Sequence, residues 1–415
     1  MSIRQVYSFM GCYEMTANIL ERILGEQNFD VRISGNGRWI DQKCALDAVC
    51  FVADCIVTYV HNGGKQPFQS TDIWHSEYAK ENVQHIFGKP DPTIRSTLDE
   101  YNKFFRQPMK MLAAAGILNE EGKNPIQFTI PKEEVLEYIA RRERNAFDFL
   151  CLYIEKTLRD SALWFSFEAF FELETQEALT DLKKIFSDFC LRYTPINTEV
   201  EANRIFIKVL NPLSCKFKKR GTERGRLSKL IITYDKIMYN QTNWRDDLAG
   251  KNKNVARGDF ISSPVNDDMY EYRVRRAVKY LQQHNAKYND SRSEVVDELA
   301  RKGKAIYMHH IFPQHQFREI ADYIENLIAL NAAQHYQKAH PEGNTSNVDK
   351  EYQYLCLVSK TNSIKRNLAD GTGETVVYNY EDFMYVLDTG LSTDYFSALH
   401  DCDFNSVLTG IDKYY

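Results

Sequence analysis

The histidines of this chain are concentrated in one stretch. Five of the ten lie between positions 309 and 340, at His309, His310, His315, His335 and His340. Imidazole nitrogens bind divalent metals, and near neutral pH they accept and donate protons. The clustering therefore predicts a metal centre or a catalytic site in this part of the chain.

Short elements are expected to position these histidines. The pattern predicts one strand over 304–308, a second strand over 324–330 and a helix over 331–339. His309 and His310 follow the first strand, and neighbouring residues of an extended segment point to opposite sides. We therefore expect a ββα unit in which the two histidines have different roles.

The segments HHIFP, ENLIAL and QH occur in this order and resemble the motif of HNH (ββα-metal) nucleases. Asn326 lies 16 residues after His310, and His335 lies nine residues after Asn326, which is similar to the spacing in that family. The resemblance implies phosphodiester hydrolysis by a general base and a divalent metal. It implies His310 as the base, Asn326 as the brace of the loop that holds the base, and His309 and His335 as metal ligands.

The chain departs from the family pattern at the end of the predicted helix. Many HNH helices carry another ligand four residues after the first, where this chain has Ala339. His340 is one residue further on, away from the helical face of His335, and Pro341 disfavours helical geometry there. Two protein ligands are therefore expected, with His340 left open. Phosphate and water oxygens would favour Mg²⁺ or Mn²⁺, and imidazoles also suit Ni²⁺ or Zn²⁺.

A basic segment over 216–229 contrasts with the net charge of −5 for the whole chain. It contains seven lysines and arginines and one glutamate, and its two glycines are typical of a flexible loop that follows a phosphate backbone. The predicted DNA contacts in it are Lys216, Lys218, Lys219, Arg220, Arg224 and Arg226, and Lys253 and Arg257 add two cations downstream. The alternative is a solvated charged face.

Two further segments carry predicted DNA contacts. Residues 91–131 have the order helix, glycine, hairpin, which is typical of a winged helix, and Arg106 and Lys110 would lie on its groove-binding helix. Downstream of the histidines, Lys360, Lys365 and Arg366 would face the cleaved strand. The alternatives are an ordinary helix–hairpin unit and an exposed helix.

A rival catalytic centre lies near the start of the chain. Asp30, Asp41 and Lys43 imitate the pattern of two acidic residues and a lysine in the other large fold of restriction nucleases, in which the acids hold Mg²⁺. Three charged residues match such a pattern by chance very often. We expect instead that Asp41 or Asp47 caps the apolar helix over 48–59 and that Trp39 packs beneath it.

Length and composition bound the architecture. A chain of 415 residues with 43% hydrophobic and 26% charged residues is long enough for two or three globular domains. We expect a mixed α+β, predominantly helical protein: a DNA-recognition region over 1–135, a helical connector over 136–260 and a nuclease domain over 261–415. The nine cysteines include no C-x-x-C pair, and the N-terminus lacks the layout of a secretion signal, so a cytoplasmic protein without membrane contact is expected.

The resemblance extends beyond the nuclease motif. The segments GRWIDQK, KFFRQPMKMLAAAGIL and GTERGRLSK are similar to segments of HNH-type type II restriction endonucleases, with the type IIS kind a candidate. This implies a Mg²⁺-dependent, sequence-specific double-strand DNA endonuclease of a restriction–modification system, leaving 5′-phosphate and 3′-hydroxyl ends. Double-strand cleavage would need a homodimer or two successive cuts. The alternatives are a modification-dependent or nonspecific defence nuclease and, from another class, a non-catalytic winged-helix regulator.

Overall fold

The computed structural model describes residues 20–87, 89, 95–239, 264–340, 348–370 and 376–415, so the downstream cations Lys253 and Arg257 lie outside the described residues. Most of these residues are helical, and the strands form two-stranded sheets, which confirms a predominantly helical α+β protein. The chain divides into two units, Leu20–Met269 and Tyr270–Tyr415. Within the described ranges, every helix falls short of the length and hydrophobicity that crossing a bilayer requires.

The unit Leu20–Met269 is mainly helical. Its named helices are α1 (Val31–Ser34), α2 (Leu46–His61), α3 (Ser70–Trp74), α4 (Glu77–Phe87), α5 (Leu98–Ala114), α6 (Glu133–Arg141), α7 (Glu143–Asp160), α8 (Trp164–Leu173), α9 (Gln176–Tyr193) and α10 (Glu199–Lys216). Its two hairpins pair β1 (Asn119–Glu121) with β2 (Gln127–Thr129), and β3 (Arg220–Glu223) with β4 (Arg226–Ile231). Short 3₁₀ turns cover Arg95–Thr97 and Tyr234–Ile237.

Helix α2 is the centre of this unit. Its side chains are buried from Leu46 to Thr58, and it packs against α5, α6 and α7. Phe51 meets the rings of Phe87, Phe104 and Phe105 at centroid distances of 5.2 to 6.3 Å. Since burying a large apolar side chain stabilises a fold by about 1.5–3 kcal/mol, this helix supplies a large share of the unit's core.

The predicted order of helix, glycine and hairpin is present over 98–129. Helix α5 ends at Ala114, Gly116 adopts a positive φ of 70°, and β1 and β2 pair in the register Glu120 with Phe128. Phe128 also pairs with Phe68 through one isolated bridge. The arrangement matches a helix–hairpin module, and its use as a winged helix stays a prediction.

The basic segment is an ordered hairpin, so the prediction of a flexible loop is wrong. Asn211 in α10 accepts the N–H of Thr222 at 2.9 Å and donates to its carbonyl at 3.0 Å, which fixes β3 against the helix. A Cβ at Gly221 would lie 2.6 Å from Asn211 Oδ1, so this glycine allows close packing. Arg224 and Gly225 form the two-residue turn with φ of 52° and 79°.

The unit Tyr270–Tyr415 contains the histidine stretch. Its elements are α11 (Pro264–Tyr288, which begins in the other unit), β5 (Ala305–His310), β6 (Leu327–Asn331), α12 (Ala332–Gln334), a π-helical turn (His335–Ala339), α13 (Lys350–Asp370), α14 (Tyr380–Leu391) and α15 (Phe404–Tyr414). Short 3₁₀ turns cover Arg318–Ile320, Ile324–Asn326 and Phe396–Ala398. The predicted ββα order is confirmed, although the start of the second predicted strand is the 3₁₀ turn Ile324–Asn326.

Strands β5 and β6 are antiparallel, with His309 opposite Ile328 and His310 opposite Leu327. All five residues of β6 are buried, as expected for a strand in the core of its unit. Glu294 covers the other side of β6, because its N–H donates to the Ala329 carbonyl at 3.0 Å and its carboxylate accepts the Ala329 N–H at 2.9 Å. The strand that carries His309 and His310 is thus held against a fixed partner.

Candidate active site

Three histidines converge beside β5. His309 lies near the end of that strand, and His335 and His340 lie at the start and just past the end of the π turn. One ring nitrogen of each lies within 4.8 Å of those of the other two. The ring centroids are 5.5 Å apart for His309 and His335, 4.9 Å for His309 and His340, and 5.0 Å for His335 and His340. This spacing is close enough for one ion to bind all three nitrogens.

The π turn brings His340 into the cluster. Its backbone N–H donates to the carbonyl of His335 at 3.1 Å, a five-residue hydrogen bond in place of the four-residue bond of an α-helix. Residues five apart therefore lie on one face here. The expectation that His340 lies away from the face of His335 is wrong, because it assumed α-helical spacing.

The start of this helical segment is anchored by Asn331 at the end of β6. Its side chain accepts the N–H of Gln334 at 2.9 Å, and the Gln334 side chain accepts the N–H of Asn331 at 3.3 Å, which forms a capping box. Asn331 also donates to the Leu299 carbonyl at 2.8 Å. These buried bonds set the direction in which the chain leaves the sheet toward His335.

Burial keeps His309 and His335 neutral. His309 is 4% exposed, and burial together with His340, His335 and His310 holds its pKa well below the ordinary value. Burial and the neighbouring His340 lower the pKa of His335 to about 4. Imidazole binds metals in its neutral form, so these two side chains are ready to bind at pH 7.

Two nitrogens of the cluster are buried and have no hydrogen-bond partner among the residues that the structure describes: Nε2 of His309 and Nδ1 of His335. An unsatisfied buried polar atom costs about 1–3 kcal/mol. A cation bound at the centre of the cluster would remove that cost. The donor set therefore fits a metal, and three imidazoles are a ligand set that suits borderline transition metals.

His310 has a different environment from its neighbour. Its ring is half-buried, Nε2 lies 3.0 Å from the carbonyl oxygen of Ala321, and burial lowers its pKa. A carbonyl oxygen can only accept, so Nε2 carries the proton in this contact and Nδ1 keeps its lone pair. The side chain is thus a neutral imidazole, fixed in one tautomer, with Nδ1 available as a base.

Asn326 ties together the loop between the two strands. Its fully buried side chain accepts the N–H of Phe312 at 2.9 Å and donates to the carbonyls of Phe312 at 3.1 Å and Ile320 at 3.2 Å. Ile320 precedes Ala321, whose carbonyl holds His310. The amide therefore acts on His310 through the loop backbone.

Lys360 does not face solvent. Its side chain is fully buried, and Nζ contacts both carboxylate oxygens of Glu294 at 3.0 and 2.9 Å and the hydroxyl of Tyr378 at 2.9 Å. The prediction that Lys360 contacts DNA is therefore wrong, because this lysine neutralises a buried acid. Lys365 and Arg366 on the same helix are exposed.

The cations of the basic hairpin fall into two groups. Lys216 pairs with Glu155 at 3.1 Å, and Lys219 and Arg220 both pair with Glu174. The other group is exposed and, within the described ranges, has no acidic partner: Lys218, Arg226 and Lys229. Lys229 was not among the predicted contacts, although it ends the same charge run. Arg224 is exposed at the turn.

Of the two predicted DNA contacts in the helix–hairpin module, one forms an ion pair and the other is exposed. Lys110 pairs with Glu120 of its own hairpin at 3.1 Å, whereas Arg106 is exposed. The Lys110–Glu120 pair therefore links the hairpin to α5. Arg106 is the side chain of this pair that a groove could reach.

The three residues of the rival centre each contact a different partner. Asp30 caps α1 and pairs with Arg32 at 2.7 Å, Asp41 pairs with Arg38, and Lys43 contacts Glu100. Each group has its own partner. The expectation that Asp41 or Asp47 caps the apolar helix is wrong, because α2 begins after Ala45 without a side-chain cap and Asp47 accepts the backbone N–H of Tyr239. In the described part of the chain, the other group that could hold an ion is His61 with Glu133 and Glu137, at the surface.

Neither a family model nor a curated protein nor a solved structure matches this chain.

Proposed function

We propose that the chain is a metal-dependent DNA endonuclease with an HNH-type active site. The observation that carries this proposal is the convergence of His309, His335 and His340 beside the strand that also presents His310. His309, His310, Asn326 and His335 have the identities and the order of the nuclease motif, and His340 lies one residue beyond the position of the family's further ligand. An unrelated structural cluster of histidines would not need the separate braced histidine.

The chemistry follows from the residues. His309, His335 and His340 would hold a divalent ion, which when bound would polarise a non-bridging phosphate oxygen and stabilise the leaving 3′-oxygen. Nδ1 of His310 would take a proton from the attacking water, because Nε2 is occupied by the Ala321 carbonyl. Asn326 is a positioning residue that fixes the loop. The products would be 5′-phosphate and 3′-hydroxyl ends.

The choice of metal depends on the donor set. Mg²⁺ was expected for two protein ligands completed by oxygen, but three imidazole ligands shift the preference toward Zn²⁺, Ni²⁺ or Mn²⁺. We therefore propose a transition metal at this site. Mg²⁺ is included among the metals tested in the experiment below.

Sequence-specific double-strand cleavage in a restriction–modification system is the wider role that we propose. The exposed cations Lys218, Arg226 and Arg106 on the other unit support contact with the DNA backbone. Cleavage of both strands would need two protomers or two successive cuts, since the described residues form one such centre per chain.

The test is digestion of a long unmodified viral DNA by the purified protein in Mg²⁺, Mn²⁺, Ni²⁺ or Zn²⁺, with EDTA and His310→Ala as controls. Discrete fragments that disappear in both controls are expected. A smear would indicate a nonspecific nuclease, and cleavage that requires modified DNA would indicate a modification-dependent one. If the protein binds DNA but cleaves it in none of these metals, the nuclease proposal is overturned and the non-catalytic regulator is the interpretation that is left.

A further inference from the structure

The basic hairpin β3–β4 has an unusual bulge. Arg220 pairs with Ile231 and Thr222 pairs with Leu227, so three residues of β4, Ser228 to Leu230, lie opposite the single residue Gly221. A bulge of this kind changes the direction of side chains on the longer strand. It sets residues 229–231 apart from the regular alternation of the hairpin.

Ser228 closes the bulge from inside. Its buried hydroxyl accepts the N–H of Gly221 at 3.0 Å and donates to the carbonyl of Leu230 at 2.7 Å. After the bulge, the N–H of Ile232 returns to the carbonyl of Lys219 at 3.0 Å. The bulge is therefore a fixed part of the hairpin, held at both ends by hydrogen bonds.

The bulge leaves apolar side chains in solvent. Leu230 is 79% exposed and Ile231 is 49% exposed, and they follow exposed Lys229 directly in the strand. A single exposed leucine is ordinary, but here two adjacent aliphatic side chains share a hairpin with Arg226 and Lys229, and Lys218 lies just before it. These three cations have no acidic partner in the described residues. The surface combines an apolar patch at the open end of the hairpin, opposite the Arg224–Gly225 turn, with positive charge.

Such a surface fits a polyanion with an apolar interior. Duplex DNA has phosphates at the rim of its grooves and stacked bases within, and proteins that bend DNA insert leucine or isoleucine between base steps. An anionic membrane would also accept lysine beside leucine, but two aliphatic side chains bury little area in a bilayer. DNA is therefore the partner that the hairpin fits best.

We propose that Leu230 is a wedge that enters the minor groove and kinks the DNA while Lys218, Arg226 and Lys229 contact the flanking phosphates. This inference deepens the proposed nuclease function and rests on it for the identity of the partner. According to this proposal the hairpin bends the DNA in addition to contacting its phosphates. The free energy of bending would make binding depend on how easily a sequence is kinked.

The experiment measures DNA bending in the cleavage-deficient His310→Ala background, with a duplex of the mapped site that carries a fluorescent donor and acceptor at its ends. Binding is expected to raise energy transfer. Leu230→Ala should remove most of that rise, and Leu230→Phe should retain it. The matched control is Leu173→Ala, a leucine that is 64% exposed between Glu172 and Glu174; it should bend DNA as the parent does.

The outcomes separate the two proposals. The wedge proposal is wrong if Leu230→Ala bends DNA as strongly as its parent, or if the protein binds anionic vesicles and leaves DNA straight. Either result is independent of whether the wild-type protein cuts DNA. If the protein cuts no DNA in any metal, no site can be mapped, and a random duplex is used instead. Bending of that duplex would support the wedge proposal and overturn the nuclease proposal. Loss of one salt-slope unit in Lys229→Ala would place that lysine at a phosphate.

Discussion

The backbone N–H of His340 reaches the carbonyl oxygen of His335 across 3.1 Å, and this single hydrogen bond unites the two imidazoles in one cluster with His309. In an α-helix the equivalent bond would join His335 to Ala339, whose methyl group binds no metal. The local helix type therefore decides which residue is the third candidate ligand. It is a property of the backbone as much as of the side chains.

Replacement of His340 tests this relationship. We expect His340→Ala to weaken binding of Zn²⁺ or Ni²⁺ by at least about tenfold, because loss of a supporting group alone commonly costs 10–100-fold in affinity. Titration calorimetry measures the effect. The exposed His315→Ala is the matched control, and equal affinities for the two variants would remove His340 from the ligand set.

His310→Ala tests the general base. Cleavage should fall by roughly 10²- to 10⁴-fold, while metal affinity and DNA affinity remain near those of the wild type. Because burial lowers the pKa of His310, the acidic limb of the wild-type rate profile should fall at a pH below the ordinary histidine value. A profile with its limb at or above that value would assign the proton transfer to another group.

Asn326→Ala should destabilise the Tyr270–Tyr415 unit by about 2–4 kcal/mol, since it removes three buried hydrogen bonds and leaves their backbone partners unsatisfied. Asn326→Asp should be no milder, because its carboxylate would face the carbonyls of Phe312 and Ile320. Urea unfolding measures both, with exposed Asn405→Ala as the control. A stable aspartate variant would contradict the bonding pattern.

Lys360→Met should cost about 3–5 kcal/mol, because it leaves the buried carboxylate of Glu294 without its cation. Combining it with Glu294→Gln should recover a large part of that loss. Lys365→Met, on the exposed side of the same helix, provides the control in thermal unfolding. If Lys360→Met and Lys365→Met unfold alike, the buried pair has no structural role.

Asp47→Asn should change the pH dependence of stability. Burial raises the pKa of Asp47 to about 6, above its unfolded value near 4, so its stabilising contribution is present below pH 4 and lost as the pH rises through about 6. The variant should therefore gain about 2–3 kcal/mol relative to the wild type between pH 4 and pH 7. Denaturant unfolding at the two values measures this difference, and a constant offset would contradict the raised pKa.

The sequence pattern over 304–339 was sufficient to predict two strands and a following helical segment beside the histidines, because those elements are local. The position of His340 could not be predicted, since a π turn depends on contacts such as the Asp349 N–H on the Ala339 carbonyl. The burial of Lys360 was equally hidden, because its acidic partner lies 66 residues away.

The Glu294 contact with Ala329 has a consequence for assembly. Both backbone hydrogen-bonding groups of Ala329 that point away from β5 are occupied, one by a backbone N–H and one by a carboxylate. A strand edge with free groups invites pairing with another chain, and here that edge is capped by a charged side chain. A second protomer is therefore not expected to extend this sheet by pairing with Ala329.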